Sequence, residues 1–223
     1  MTDGRVPPPE RRRIPLFPLG TVLVPGLVLP LHIFEPRYRR MVADLQELPE
    51  DERAFGVVAI RQGREVGADT PSIHEVGTIA SIREITPLGD GRFELVTVGT
   101  DRFRIVGVRD DKPYLHADVE DLPEDSGGSP EAVAHAVTDS FVEYRSMFAD
   151  DDTELPDDPR VLSYLVAAAV VTDLPSRQEF LEAASDVARL RAELAFLRRE
   201  TAIISALPSL PAVDMMSEEP SPN

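Results

Sequence analysis

The chain has 223 residues, of which 42% are apolar and 28% are charged, so it can bury a core in one large domain or two small ones. Its 23 basic and 40 acidic side chains give a formal charge of −17, which disfavours nucleic acid as a partner because phosphate binding depends on lysine and arginine. The absence of cysteine excludes disulfide bonds, thiolate catalysis and cysteine-ligated zinc.

The first residues, MTDGRVPPPERRR, are rich in charge and proline and lack the apolar run that a signal peptide needs. We expect residues 1–13 to form a disordered N-terminal segment. The longest later apolar run, from Val161 to Val171, is interrupted by Ser163 and is shorter than the ~20 residues of a membrane-spanning helix. The sequence therefore predicts a cytoplasmic protein without a membrane partner.

Residues 14–41 form an apolar segment, IPLFPLGTVLVPGLVLPLHIFEPRYRRM, that five prolines interrupt. Each proline removes a backbone donor and restricts the preceding residue to extended geometry, so neither one long helix nor a membrane span fits. Short extended pieces joined by turns are predicted instead. From Arg37 to Leu48, apolar residues recur at three- and four-residue spacings, which predicts one short helix that begins near Pro36.

Several short runs that follow are rich in Val, Ile, Phe and Thr and are bounded by Gly, Asp or Pro, as β-strands are. They read AFGVVAIR, EVGTIASIREI, RFELVTVG, RFRIVGVR and YLHADVEDL. Gly89-Asp90-Gly91 lies between two of them and predicts a hairpin turn. We therefore expect residues 14–121 to form a β-rich subdomain.

The pattern becomes helical after residue 122. Residues 122–129 contain two adjacent glycines and little to bury, so they are predicted to be a linker that a protease cuts first. Helix start signals follow at Ser129-Pro130, at Asp158-Pro159 and in a capping box from Ser176 to Glu179.

The last predicted helix carries an apolar seam through Leu190, Leu194 and Leu197, so one side of it should be buried. We expect residues 130–205 to form a helical subdomain. Residues 206–223 hold four prolines and few core residues, which is typical of a disordered tail.

We find no catalytic or metal-binding motif in the sequence. The single lysine, Lys112, has neither a P-loop ending nor a serine suited to a Ser-Lys dyad beside it. The histidines lie in separate predicted elements without metal-ligand spacing, and they are His32, His74, His116 and His135. His32 and Glu35 could form a polar pair, although a structural hydrogen bond is the commoner role for such residues. We therefore expect no enzymatic activity, no metal and no cofactor.

The segment IPLFPLGTVLVPGLVLPLHIFEPRYRRMV resembles the start of the LON domain. This domain is the N-terminal substrate-binding region of Lon-type ATP-dependent proteases and also occurs in cereblon and in stand-alone bacterial proteins. The resemblance continues through GREVG, EVGTIASI, DGRFELVTVGTDRFRI and YLHADVE. The stretch LPSRQEFLEAASDVARLRAELAFLRRE is similar to the helices that follow in the same family, so about residues 13–205 are covered.

The resemblance implies an α+β fold in which a PUA-like pseudo-barrel with a short helix precedes a C-terminal helical bundle. It implies a stand-alone bacterial protein without the ATPase and protease modules, because the chain ends where they would begin. The implied function is non-catalytic binding of unfolded or damaged polypeptides, or of a protease partner, in protein quality control. RNA binding by the PUA-like barrel, which the charge of −17 opposes, and an enzyme with an unrecognised site are the alternatives.

Phe34, Arg37 and Tyr38 are candidate protein-binding residues, because aromatic and guanidinium groups are enriched at protein interfaces. The alternative, which we favour, is that Phe34 and Tyr38 belong to the core and that Arg37 pairs with an acid such as Glu35. A groove between the strand-rich and helical halves is a further candidate for the polypeptide site, since clefts at domain boundaries favour binding. The client and the oligomeric state stay open at this point.

Overall fold

The computed structural model describes residues 11–63, 71–149 and 153–206. Within these ranges the strands are β1 Arg11–Leu19, β2 Val28–Ile33, β3 Ala54–Gln62, β4 Ser72–Ile73, β5 Val76–Pro87, β6 Phe93–Arg109 and β7 His116–Asp121. The helices are α1 Pro36–Gln46, α2 Glu131–Ser146, α3 Pro159–Ala169, α4 Leu174–Glu182 and α5 Asp186–Ala206, with a short 3-10 helix at Glu50–Glu52. None of the helices in the described ranges is long and apolar enough to cross a bilayer.

The strands form one mostly antiparallel sheet that closes on itself. The pairing runs from β1 through β7, β6, β5 and β3 and returns to β1, because the second half of β1 pairs with β3 in parallel. The first half of β1 pairs with β7, so one strand completes the ring on both sides. Strands β4 and β2 lie outside this ring, on β3 and β6 respectively.

Strand β6 is the longest strand described, and its two edges are used differently. Strand β5 pairs with β6 along one edge from Phe93 to Arg104. On the other edge β2 covers residues 93–98 and β7 covers residues 103–109, although not every residue there is in register. Near Thr100, between β2 and β7, no strand therefore pairs with this edge of β6.

The sheet half is filled by two apolar clusters. One lies between α1 and the sheet and includes Met41, Phe55 and Leu95. The other is centred on Phe103, which is fully buried and whose ring lies against the backbone at Gly77. A Cβ atom at Gly77 would lie 2.8 Å from Cζ of Phe103, so glycine is required for this close approach.

The third and largest cluster joins the sheet to the helices. Its members from the strand half are Val22, Val24, Ala59 and Val76, and its members from the helices include Phe141, Val166 and Leu190. Because these side chains share one core, burial of apolar surface holds the two halves together.

Several helix and strand starts differ from the sequence-based prediction. Strand β1 begins at Arg11, so residues 11–13 belong to the sheet and not to a disordered segment. Helix α2 begins at Glu131, with Pro130 at the N-cap position and no side-chain cap. Ser129 therefore does not cap α2 as predicted.

The cap of α3 is the predicted one, whereas the cap of α4 is not. The Asp158 side chain accepts hydrogen bonds from the Arg160 and Val161 amides. Helix α4 begins earlier than predicted, because the Asp173 side chain accepts the Ser176 amide at 2.9 Å. The predicted capping box from Ser176 to Glu179 is wrong, since both residues lie inside the helix.

Of the remaining predictions, the hairpin turn and the apolar seam are confirmed, and the others concern residues outside the described ranges. The predicted hairpin turn is present, with Gly91 at a φ of 79° between β5 and β6. In α5 the residues Leu190 and Leu197 are buried and Leu194 is partly buried, as the apolar seam predicts. Residues 1–10, most of the GREVG stretch and the predicted tail from residue 207 lie outside the described residues.

Candidate functional site

A groove of about 1180 Å³ lies at the uncovered part of the β6 edge, between the sheet and α3. The strand half lines it with Arg12, Pro25, Gly26, Leu27, Thr100 and Asp101. Helix α3 lines it with Arg160, Val161, Tyr164, Leu165, Ala168 and Ala169. Arg102, Asp121 and the start of the linker, residues 122–124, lie between these two walls.

The wall formed by α3 is largely apolar because of the helix period. Val161, Leu165 and Ala168 recur at four- and three-residue steps, which places them on one side of α3. Leu162 and Val166, on the neighbouring side, are buried in the core shared by both halves. One side of α3 thus holds the fold together while the next side faces the groove.

The base of the groove is a cluster of charged side chains in which the partly buried Glu124 joins two buried arginines. Its carboxylate accepts hydrogen bonds from Arg102 Nε at 2.7 Å and from the Tyr164 hydroxyl at 2.5 Å. Arg189 Nη2 donates to the other carboxylate oxygen at 3.3 Å. Glu124 therefore connects the linker to β6, α3 and α5 at one point.

The two arginines of this cluster are buried, and both also donate hydrogen bonds to acceptors other than Glu124. Arg102 Nη1 donates to the carbonyl oxygens of Leu181 and Ala183 at 2.7 and 2.8 Å, near the end of α4. Arg189 donates to the carbonyl of Phe180 at 3.1 Å, and its guanidinium lies 3.8 Å from the centroid of the Tyr164 ring. This many acceptors are needed because a buried charge without partners is strongly destabilising.

The arrangement shifts the pKa values of two members of the cluster. Burial by itself would raise the pKa of Glu124, but the Tyr164 hydrogen bond and the charges of Arg102 and Arg189 outweigh it and lower the pKa. Burial raises the pKa of the Tyr164 phenol, which therefore stays neutral and donates a hydrogen bond to Glu124. At neutral pH Glu124 is therefore an ionised acceptor and not an acid that could supply a proton.

The linker is attached to the start of α5 over the residues that follow Glu124. The carbonyls of Asp125 and Ser126 accept the amides of Asp186 and Val187 at 2.8 and 3.1 Å. The next residues are exposed, and Gly127 and Gly128 both have positive φ values, 69° and 126°. The Gly127 amide donates to Asp125 Oδ1 at 2.9 Å, within the linker itself, so the backbone bonds to α5 end at Ser126.

The three candidate residues from the sequence lie away from this groove and differ from one another. Tyr38 is only 4% exposed and its ring centroid lies 4.1 Å from that of Phe17. Arg37 pairs with Glu35 at 3.0 Å. Phe34 is 47% exposed, so the expectation that it belongs to the core is wrong. It follows the end of β2, whereas Leu27, which lines the groove, precedes the start of that strand.

The polar residues considered for catalysis are dispersed. Glu35 pairs with Arg37, and His32 lies 3.4 Å from Arg92 and against Phe34, so a His32–Glu35 pair is not formed. Nζ of Lys112 lies 3.0 Å from the Tyr114 hydroxyl. In the ranges that the structure describes, no group of three or more Asp, Glu or His side chains is placed to hold a metal ion.

Residues 13–199 match the family model of the ATP-dependent protease La (LON) substrate-binding domain. Lon protease 2 of Syntrophobacter fumaroxidans is 31% identical over 200 residues, and Lon protease 2 of Myxococcus xanthus is 29% identical over 202 residues. Each alignment covers 86% of this chain but only 25% and 24% of the relatives, so the chain spans about a quarter of their length.

Solved structures agree with this match. A Lon N-terminal domain protein from Xanthomonas campestris superposes with a TM-score of 0.63 at 26% identity, covering 83% of this chain and 98% of that one. The N-terminal domain of a Mycobacterium avium complex Lon protease gives the same TM-score at 19% identity, covering 84% and 98%, and supports the fold alone. Since the family model covers most of the chain, the protein belongs to the family of LON substrate-binding domains.

Proposed function

We propose that this protein binds unfolded or damaged polypeptides in the groove between the sheet and α3, and that it serves protein quality control without catalysing a reaction itself. The observation that supports this most is the groove of about 1180 Å³ with an apolar wall at the junction of the two halves. Pockets for small molecules are typically ~300–1,000 Å³, so the groove is better matched to a length of polypeptide. The expected PUA-like barrel is part of the same proposal.

The groove suits apolar side chains of a client better than charged ones. Leu27 from the strand half and Val161 from α3 are exposed apolar residues in its lining. Burying one apolar side chain contributes about 1.5–3 kcal/mol, and association itself costs at least about 4 kcal/mol. A micromolar affinity, about −8 kcal/mol, would therefore require about 12 kcal/mol from burial, which at least four client side chains bound together would supply.

A protease is the partner that would use such a client. The Lon proteases of Syntrophobacter and Myxococcus align with this chain over about a quarter of their length. We infer that a cytoplasmic ATP-dependent protease receives clients that this protein holds. The inference rests on the family membership.

The test is to titrate the protein into fluorescein-labelled β-casein, an unfolded polypeptide, and to follow fluorescence anisotropy. Val161→Asp places a charge in the groove and should weaken binding at least tenfold. Val142→Asp on α2 is the matched control, because the two valines are 53% and 46% exposed and Val142 does not line the groove. Equal affinities of both variants would exclude the groove as the client site.

The same assay separates the RNA alternative. A labelled single-stranded RNA should show no saturable binding at 150 mM salt, because the net charge is −17. If RNA bound and casein did not, with an affinity that fell steeply as salt was added, RNA binding would replace the proposed function.

A further inference from the structure

Strand β2 has one edge that pairs with no other strand among the described residues. On its other edge it pairs with β6. Gly99 donates its amide to the Leu27 carbonyl at 2.9 Å, and the Thr97 hydroxyl donates to the Leu29 carbonyl at 2.8 Å. Because backbone groups alternate in direction along an antiparallel strand, Leu29, Leu31 and Ile33 face β6. The N–H and C=O groups of Val28, Pro30 and His32 therefore face away from β6.

The position of Pro30 agrees with this assignment. Proline has no backbone N–H, so within a sheet it is tolerated where that group would face away from the neighbouring strand. The outward edge of β2 thus offers donors at Val28 and His32 and acceptors at all three outward positions. These positions recur every second residue, about 6.8 Å apart.

The side chains of β2 divide in the same alternating way. Leu29 and Leu31 pack against the cluster between α1 and the sheet. Val28, at 55% exposure, and Pro30 lie on the exposed face of the strand. The strand is therefore anchored by one face and one edge, whereas its other face is exposed and its other edge pairs with no strand among the described residues.

The free edge leads directly out of the groove. Leu27 lines the groove and is followed immediately by Val28, the first residue of β2. At the far end of the strand, His32 and the exposed Phe34 lie against each other with ring centroids 6.0 Å apart. A polypeptide that leaves the groove along β2 would reach Phe34 after about six residues, roughly 20 Å.

We propose that the free edge of β2 binds an extended segment of the client as an additional β-strand, which continues from the groove to Phe34. This inference rests on the proposed function and specifies how the client is held. Main-chain hydrogen bonds to a sheet edge supply affinity for any sequence that can become extended. The substrate class is therefore an unfolded segment of about six residues with apolar side chains at alternate positions. Folded proteins should bind far more weakly, because most of their backbone groups are already paired.

Substitutions at outward positions test the backbone contact separately from the side chains. Val28→Pro removes an outward donor and leaves the pairing with β6 intact, whereas Val28→Ala keeps the donor and shortens the side chain. We expect about tenfold weaker binding of labelled β-casein by Val28→Pro and less than threefold weaker binding by Val28→Ala. Equal losses in both variants would show an ordinary apolar contact and overturn the proposal.

The opposite change is expected to increase affinity. Pro30→Ala adds a third donor to the edge and should tighten casein binding severalfold. If thermal unfolding shows that Val28→Pro does not fold, the casein affinity of Pro30→Ala alone tests whether the β2 edge binds the client. Unchanged casein affinity of Pro30→Ala, or self-association of that variant in place of tighter client binding, would show that Pro30 only protects the edge from aggregation and would sink the proposal.

Residue-resolved amide hydrogen exchange supplies a second readout. In the free protein the Val28 and His32 amides should exchange quickly, and those of Leu31 and Ile33 slowly. Saturation with unlabelled casein should slow exchange at Val28 and His32 specifically. If casein binds in a Val161-dependent way but these two amides keep their rates, the edge contact is excluded while the proposed function stands. If casein does not bind at all, the proposed function itself fails.

Discussion

The Tyr164 hydroxyl donates a 2.5 Å hydrogen bond to Glu124, and this contact joins the linker to α3 beneath the groove. Glu124 also holds Arg102 from the strand half and Arg189 from α5. The shape of the groove therefore depends on one glutamate that is itself in a connecting segment.

Removing this glutamate should destabilise the whole protein. Glu124→Ala leaves Arg102 and Arg189 buried without their shared counter-charge, which typically costs about 3–5 kcal/mol. Urea unfolding followed by circular dichroism measures the change. Glu120→Ala is the control, because the Glu120–Arg11 ion pair lies at the surface and should contribute at most about 1 kcal/mol. Equal losses in both variants would contradict a central role for Glu124.

Glu193 makes the stability of the fold depend on pH. Both of its carboxylate oxygens are buried without a hydrogen-bond partner among the described residues. Burial raises its pKa well above the ordinary value of 4.5, against a smaller opposing effect of Arg189. Because this carboxyl holds its proton more tightly in the folded state, the free energy of unfolding of the protein falls as the pH rises from about 4.5 through the folded-state pKa.

Glu193→Gln should therefore unfold at a higher urea concentration than the unchanged protein at pH 8. The gain in stability should shrink as the pH is lowered and vanish below pH 4.5, where Glu193 is protonated in both the folded and the unfolded protein. Urea midpoints at a series of pH values measure this trend, with Glu179→Gln at an exposed position as the control for the change of residue type. A gain that is the same at every pH would show that burial of charge is not its cause.

The close packing around Phe103 predicts a difference between two glycines of the sheet. A Cβ at Gly77 would lie 2.4 Å from the Val57 carbonyl oxygen, so Gly77→Ala must displace backbone and should cost about 1–3 kcal/mol. Gly107→Ala, on β6, meets no heavy atom within 4 Å and should change stability little. Thermal unfolding of the two variants gives the comparison, and equal melting temperatures would refute it.

The glycine part of the linker should be the first site of limited proteolysis, because Gly127 and Gly128 are exposed beyond the last anchoring bond at Ser126. The nicked protein should nevertheless migrate as one particle in size-exclusion chromatography. The shared core of Val24, Val76 and the helices holds the two fragments together. Separation of the fragments in the absence of denaturant would mean that this core contributes less than its burial indicates.

The sequence predicted secondary structure well where the apolar residues follow a single period, either that of a strand or that of a helix. Alternating runs identified β3, β5 and β7, and the apolar spacing from Tyr38 to Leu45 identified α1. The runs RFELVTVG and RFRIVGVR, which were predicted as two strands, form the single strand β6. It could not show that β1 pairs in parallel with β3 or that Arg11 enters the sheet, because both depend on pairing with distant segments. Local signals carry no information on such partners.

The groove was expected from the change of composition near residue 122, but its charged base was not. In the sequence, each of these charged residues looks like an ordinary surface residue. Arg102 and Arg189 can be buried because both donate hydrogen bonds to Glu124. The one local sign is Arg189, which directly precedes the buried Leu190 on the seam of α5. The exposure of Phe34 was also beyond local reading, because it is set by where β2 ends against β6.

The double pairing of β1 imposes an order on biosynthesis. Residues 11–19 pair with residues 56–59 and with residues 116–120, so the ring cannot close until the ribosome has released the chain beyond residue 120. At a typical ~5–20 residues per second, about ten seconds of elongation separate the emergence of β1 from that of β7. During that interval the nascent chain exposes unpaired strand edges of its own, which is the state that this protein is proposed to recognise in others.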